Sequence, residues 1–180
     1  VTGASSGIGT AASVALALPA HNAAHVRAVA DGFLSGSYSF KRYKSRSDDA
    51  GVADVSILSD AARRQDAIAA LEDARTVADV VHQARDWVNT PPNDLTPELF
   101  ADGVLAYAKK RAGRSKPKLA IEVLGPDELA ELGCGGILGV GMGSANPPRL
   151  VKLTWAPEDA RASVAFVGKA SQMTPFMGDN

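Results

Sequence analysis

The spacing of hydrophobic and polar residues divides the chain into alternating strands and helices. Two short apolar runs, Ser13–Leu18 and Val52–Leu58, have the length and composition of strands. Between them, apolar residues recur at every third or fourth position from Ala23 to Gly36, which predicts a helix with one buried face. A longer stretch of the same period predicts a helix of roughly six turns over 65–88. Its buried face is expected to contain Ile68, Leu71, Ala74, Ala78, Val81 and Val88.

Two consecutive prolines place a boundary directly after this long helix. Pro91 and Pro92 lack the amide hydrogen that a helix needs, and a proline disfavours helical geometry in the residue before it, so the helix is expected to end near Asn89. We therefore interpret the helix as a connection between two α/β parts. The expected domains are a partial N-terminal α/β domain (1–64), a linker helix (65–89) and the truncated start of a second α/β domain (90–180).

Helix and strand signals continue through the second half. Thr96 followed by Pro97 predicts an N-cap and the first position of a helix that ends near Arg111. The remaining pattern predicts a short helix over Pro126–Leu132 and strands over Leu119–Leu124, Leu150–Trp155 and Ser163–Val167. Because strands alternate with helices, the predicted fold class is α/β with a mainly parallel sheet.

Composition narrows the possible partners. The 180 residues are 46% hydrophobic and 22% charged, which suffices for one or two domains with a core. A formal net charge of −1 predicts no attraction to nucleic acid, and no apolar run is long enough to cross a membrane. The single cysteine, Cys134, excludes an internal disulfide framework and fits a reducing compartment. We therefore expect a cytoplasmic protein with no nucleic-acid or membrane partner.

The glycine-rich segment Val1–Gly9 resembles the phosphate-binding turn of short-chain dehydrogenases, in which glycines let the backbone approach a pyrophosphate. That family needs a helix directly after the turn, but the next segment here resembles a strand. It also uses a Tyr and a Lys four residues apart. Here the residues four positions after the three tyrosines are Arg42, Ser47 and Arg111. We therefore interpret Val1–Gly9 as a loop or the start of a helix built of small residues. An NAD(P)-dependent dehydrogenase is kept as the alternative hypothesis.

A second set of motifs is distributed along the chain. The segment Arg85–Pro97 (RDWVNTPPNDLTP) closely resembles a motif of the leucyl (cytosol) aminopeptidases, a family of two-metal exopeptidases. Residues Glu131–Leu150 are similar to that family's GGxLGVGxGSxxPPRL region, and Val164–Lys169 resembles the strand that leads to its first metal ligand. Gly32–Lys44 is similar to the end of the family's N-terminal domain. Together these matches cover about residues 53–169 and part of the preceding segment.

This resemblance implies a small N-terminal α/β domain joined by a long helix to a catalytic α/β domain, with six subunits in a hexamer. The implied reaction is the release of an N-terminal residue, often leucine, from a peptide with a free N-terminus. In that reaction a water molecule is activated between two divalent metal ions, which are zinc, manganese or magnesium.

The resemblance also implies one metal ligand in this chain, Lys169. In the family pattern VGKGxTFDxGG the lysine binds one metal through its amine, which must be deprotonated to do so. After Lys169 the sequence reads ASQMTPFMGDN and lacks the aspartate of that pattern, and the family's other ligands would lie beyond Asn180. We therefore expect a fragment that is inactive alone, and we assign no catalytic residue within it. A non-catalytic assembly module is the third hypothesis.

Other chemistry-bearing residues have structural interpretations. The histidines His21, His25 and His82 are too scattered for a metal site and are expected on the surface or on helix faces. Cys134 is expected to pack as a small residue in a tight turn. Gly139–Ser144 lacks the Lys-Ser/Thr of a phosphate loop and is interpreted as a close-packed turn.

Overall fold

The computed structural model describes residues 13–45, 52, 54–111 and 119–170. The chain divides into two compact units, Val1–Asn89 and Thr90–Asn180. The first unit contains β1 (Ser13–Leu16), α1 (Ala23–Gly36), β2 (Asp54–Ile57) and α2 (Gln65–Asn89). The second contains α3 (Pro97–Arg111), β3 (Ala120–Leu124), α4 (Pro126–Glu131), α5 (Gly135–Gly141) and β4 (Leu150–Thr154). This order of helices and strands confirms the predicted α/β class. None of the helices described is long and apolar enough to span a bilayer.

The first unit packs two helices and a parallel strand pair around small apolar side chains. Strands β1 and β2 are paired from Ser13 opposite Asp54 to Leu16 opposite Ile57, and parallel pairing is confirmed here. Helix α1 begins after Asn22, whose side-chain Oδ1 accepts a hydrogen bond from the His25 N–H (2.9 Å). The core consists of Ala20, Val26, Ala61 and Ala67, with Ala23, Val29, Ile57 and Leu71 packed against it. Alanines at this contact permit a close approach of the packed elements.

The buried face of α2 is narrower than the sequence pattern predicts. Ala67, Ala74 and Ala78 are buried, whereas Ile68 and Val81 are exposed and Val88 is 80% exposed. The prediction that Ile68, Val81 and Val88 lie in the buried face is therefore wrong. At 100° per residue the alanines lie near the centre of the buried face, whereas Ile68, Val81 and Val88 lie on its flanks.

The second unit contains an antiparallel strand pair. Strand β3 pairs with β4 from Ala120 opposite Thr154 to Leu124 opposite Leu150. On one face, Lys152 Nζ lies 3.2 Å from a carboxylate oxygen of Glu122 on the facing strand. The expectation of a mainly parallel sheet is wrong for this unit. Hydrophobic alternation marks a strand but not its direction, which depends here on how α4 and α5 return the chain.

The predicted strand over Ser163–Val167 is absent, since residues 161–170 have no regular secondary structure. Val164 and Val167 are exposed, and Phe166 is 96% exposed. A strand needs a neighbour to pair its backbone N–H and C=O groups. Among the described residues no strand pairs with this segment, so its alternating pattern does not produce a strand.

A short helix, α5, takes the place of the close-packed turn predicted over Gly139–Ser144, since Gly139 to Gly141 lie within it. Helix α4 first ends in a Schellman motif: the Cys134 N–H donates to Leu129 O (2.8 Å) and the Gly133 N–H donates to Ala130 O (3.0 Å). Gly133 has φ +69°, the left-handed conformation that this cap requires. The glycines of α5 have low helix propensity, which is why the sequence pattern did not predict this helix.

Candidate functional site

The predicted metal ligand, Lys169, is exposed and lies in the segment without regular secondary structure that follows β4. In the described part of the chain no three His, Cys, Asp or Glu side chains are grouped so that they could hold a metal ion. One amine cannot hold two dications, so the described residues do not fit a two-metal centre by themselves. The role of Lys169 therefore stays a prediction. Val1–Gly9 and residues 171–180 lie outside the described residues.

The histidines belong to local contacts of the first unit. His21 Nδ1 lies 3.2 Å from Asp60 Oδ2, and the rings of His21 and His25 meet edge to face with centroids 6.3 Å apart. Both of these histidine side chains are exposed. His82 lies on α2 and takes part in the contact between α2 and the end of α1. Their placement agrees with the surface and helix-face positions expected for them.

Two segments that carry the family resemblance meet at the end of α2. Tyr38 follows α1, and its hydroxyl donates to Asp86 Oδ1 (2.8 Å) and accepts from Asn89 Nδ2 (3.0 Å). The guanidinium carbon of Arg85 lies 3.9 Å from the centroid of the Tyr38 ring, within range of a cation–π interaction. The His82 ring centroid is 5.3 Å from that of Tyr38. We call these five residues the Tyr38 cluster.

The same helix also binds the C-terminus of α1. His82 Nε2 lies 2.8 Å from Leu34 O, and an Arg85 guanidinium N–H donates to Ser35 O (2.9 Å). The last carbonyls of a helix have no partners within the helix and carry partial negative charge. Since a carbonyl can only accept, His82 carries a proton on Nε2 in this contact. Side chains of α2 thus supply hydrogen-bond donors to carbonyl oxygens at the end of α1.

The environment of Tyr38 changes its acidity. Desolvation raises the pKa of Tyr38 above its usual value, and the hydrogen bond to the Asp86 carboxylate acts in the same direction. The hydrogen bond from Asn89 and the positive charge of Arg85 oppose this rise in pKa without cancelling it. The hydroxyl therefore stays protonated, and remains a donor to Asp86, over a wider pH range than that of a free tyrosine.

The second part of the 85–97 motif builds the entry to α3. The Asp94 N–H donates to Pro91 O (2.9 Å), which closes a turn, and Leu95 is buried. Thr96 Oγ1 accepts from the Leu99 N–H (3.3 Å), which confirms Thr96 as the N-cap and Pro97 as the first helical residue. The described residues of this motif therefore form a turn and a helix cap.

Within the 131–150 motif, Arg149 makes contacts that stabilise the second unit. The side chain of Arg149 is only 19% exposed, its guanidinium donates to Pro148 O (3.1 Å), and a second nitrogen lies 3.6 Å from Glu98 Oε1. This ion pair connects the residue before β4 to the first turn of α3. Sequence reasoning did not single out Arg149 or Tyr38, although both lie within segments that resemble the family.

Known proteins show the family to which this chain is similar. Residues 82–171 match the catalytic domain of the cytosol aminopeptidase family. The chain belongs to this family. It is 41% identical to a probable cytosol aminopeptidase of Streptomyces coelicolor in an alignment that covers 88% of this chain and 33% of the relative. It is 40% identical to a probable cytosol aminopeptidase of Leifsonia xyli over 157 residues, 87% of this chain and 30% of the relative. The chain therefore spans about one third of the length of these relatives.

Solved structures agree with the family assignment. The bottromycin maturation enzyme BotP, solved in complex with Mn, matches with a TM-score of 0.69 and 32% identity over 86% of this chain and 31% of that one. A mutant of tomato leucine aminopeptidase matches with a TM-score of 0.71 over 84% of this chain and 31% of that one, and its 22% identity supports the fold alone. The family assignment, which rests on the match of residues 82–171 and on the curated relatives, does not favour the short-chain dehydrogenase alternative.

Proposed function

We propose that this chain is part of a metal-dependent aminopeptidase that releases N-terminal residues from peptides with a free N-terminus. The observation that carries the proposal is the match of residues 82–171, half of the chain, to the catalytic domain of the family. In this proposal residues 1–64 form a partial N-terminal α/β domain, α2 over 65–89 is the linker helix, and residues 90–180 are the start of the catalytic domain. A hexameric assembly and a cytoplasmic location follow from the same family assignment.

The proposed cofactors are two divalent metal ions, whose chemistry would be to activate water and polarise the scissile carbonyl. Manganese is supported by the similarity to BotP, which is solved with Mn, and zinc and magnesium are the other candidates. Lys169 is the proposed ligand from this chain. Because the described residues supply no cluster of further ligands, we propose that the chain alone does not form the complete centre.

The proposal is tested by hydrolysis of a leucine-linked chromogenic amide. The purified 180-residue chain, with or without added manganese or zinc, is expected to show no turnover. A chimera in which the residues after Lys169 are replaced by the corresponding part of the Streptomyces coelicolor relative is expected to show metal-dependent turnover. Metal-dependent turnover by the 180-residue chain alone would show that its site is complete.

The contribution of Lys169 is tested in the same chimera. Lys169→Ala is expected to lower both turnover and metal content, measured by elemental analysis after dialysis, because it removes the ligand amine. The matched control is Lys152→Ala, which removes an exposed lysine of β4 whose partner is Glu122. Equal metal content in the two variants would show that Lys169 is not a metal ligand. A chimera that assembles and binds metal without hydrolysis would favour the non-catalytic assembly module.

A further inference from the structure

The contact between the end of α1 and the end of α2 is reciprocal. Helix α2 supplies the His82 and Arg85 side chains that bind the last carbonyls of α1. In return Tyr38, two residues beyond α1, binds Asp86 and Asn89 in the last turn of α2. These contacts join residues about fifty positions apart in the sequence, so they form only when the two helices are packed together.

Two features of the last turn of α2 limit its own stability. It contains no basic residue to interact with its own C-terminal carbonyls. Val88 in this turn is 80% exposed and therefore contributes little apolar burial. The terminal turn of a helix opens locally at low free energy, because its last carbonyls have no partners within the helix.

We propose that Tyr38 is a positioning residue that holds the last turn of α2 closed and thereby fixes the point at which the chain leaves the first unit. Its hydroxyl contacts Asn89, the last residue of α2 and of that unit. Its ring faces the guanidinium of Arg85, which directly precedes the last turn, so the same side chain contacts the end of α2 both through its ring and through its hydroxyl. This role goes beyond the proposed peptidase activity and does not depend on it.

Amide hydrogen exchange of the 180-residue chain tests the proposal. Tyr38→Phe keeps the ring that faces Arg85 and removes both hydrogen bonds of the hydroxyl. Exchange at the amides of residues 86–89 is expected to become faster by about five- to tenfold, because each hydrogen bond makes a modest net contribution. The amides of Ala74 and Ala78, in the buried middle of α2, are expected to keep their rates. Unchanged rates at 86–89, or the same acceleration along the whole helix, would overturn the positioning role.

Two further variants separate positioning from general destabilisation. Tyr43→Phe is the matched control, because Tyr43 lies in the same connecting segment and its ring contacts Phe40 and Arg42. It is expected to leave exchange at 86–89 unchanged. Asn89→Ala removes one of the two hydrogen bonds and is expected to give a smaller acceleration than Tyr38→Phe. Fluorescence of Trp87 in a Trp155→Phe background reports on the same turn, and it is expected to change in Tyr38→Phe and not in Tyr43→Phe.

Discussion

The ring of Pro148 packs against the backbone of Gly141 so closely that a Cβ added to Gly141 would lie 2.7 Å from Pro148 Cγ. Proline is cyclic and cannot rotate its side chain away, and real Cβ atoms are essentially never found this close to another heavy atom. The end of α5 and the segment before β4 therefore meet at a distance that only glycine permits.

Gly141→Ala is expected to destabilise the second unit by about 1–3 kcal/mol, because the added methyl group overpacks the contact with Pro148. The matched control is Gly139→Ala in the same helix, where an added Cβ meets nothing within 4 Å. That change is expected to stabilise the unit by about 0.5–1 kcal/mol through the lower backbone entropy of the unfolded chain. Urea unfolding followed by Trp155 fluorescence in a Trp87→Phe background measures both. Effects of the same sign would contradict the close contact.

Gly133 is required for a different reason, since its φ of +69° is the left-handed conformation of the α4 cap. Gly133→Ala is expected to cost about 1–2 kcal/mol of unfolding free energy, because a Cβ is disfavoured in that conformation. Gly133→Asn should cost less, since asparagine tolerates it better than alanine does. Gly136→Ala, where φ is ordinary and the added Cβ has open space, is the control in the same unfolding measurement. Equal losses for all three variants would rule out this explanation.

Thr96→Ala is expected to lower the free energy of unfolding by about 1 kcal/mol, because Thr96 Oγ1 accepts the Leu99 N–H at the start of α3. Thr96→Ser keeps the hydroxyl and should retain most of the stability. Urea unfolding of the three proteins gives the comparison. A serine variant as unstable as the alanine variant would indicate that the threonine methyl group, and not the cap, is responsible.

The pH dependence of the first unit should show the raised pKa of Tyr38. A tyrosine whose pKa is higher in the folded than in the unfolded state stabilises the fold fully below its unfolded pKa of about 10, and this stability is lost as pH rises through the folded pKa. Ultraviolet difference absorbance of the three tyrosines should therefore contain a late-titrating component. Tyr38→Phe should remove it and Tyr43→Phe should not. A late-titrating component that persists in Tyr38→Phe would contradict the assignment.

Local signals in the sequence were sufficient to predict where several helices begin and end. Helices α1 and α3 begin and end at the predicted residues, since Thr96 with Pro97 marks the start of α3 and polar turn residues precede α1. The direction of β4 and the helical state of Gly135–Gly141 could not be predicted, because neither has a signature in hydrophobic periodicity.

The Tyr38 cluster shows why long-range contacts were missed. Tyr38 and Asp86 are 48 positions apart, and no pattern in one chain indicates that two such residues will share a hydrogen bond. The same limit applies to the candidate metal site. Lys169 was placed by its resemblance to a family motif, whereas a metal centre needs several ligands brought together by the fold.

The exposed segment around Phe166 has a practical consequence for anyone who handles this chain. Val164, Phe166 and Val167 present apolar side chains to water in a stretch that favours β-pairing. Sulfate and phosphate strengthen the burial of such surface, so concentrated solutions are expected to become turbid in these salts sooner than in chloride. Phe166→Ser should delay the onset of light scattering, which makes it a useful background for spectroscopy at high concentration.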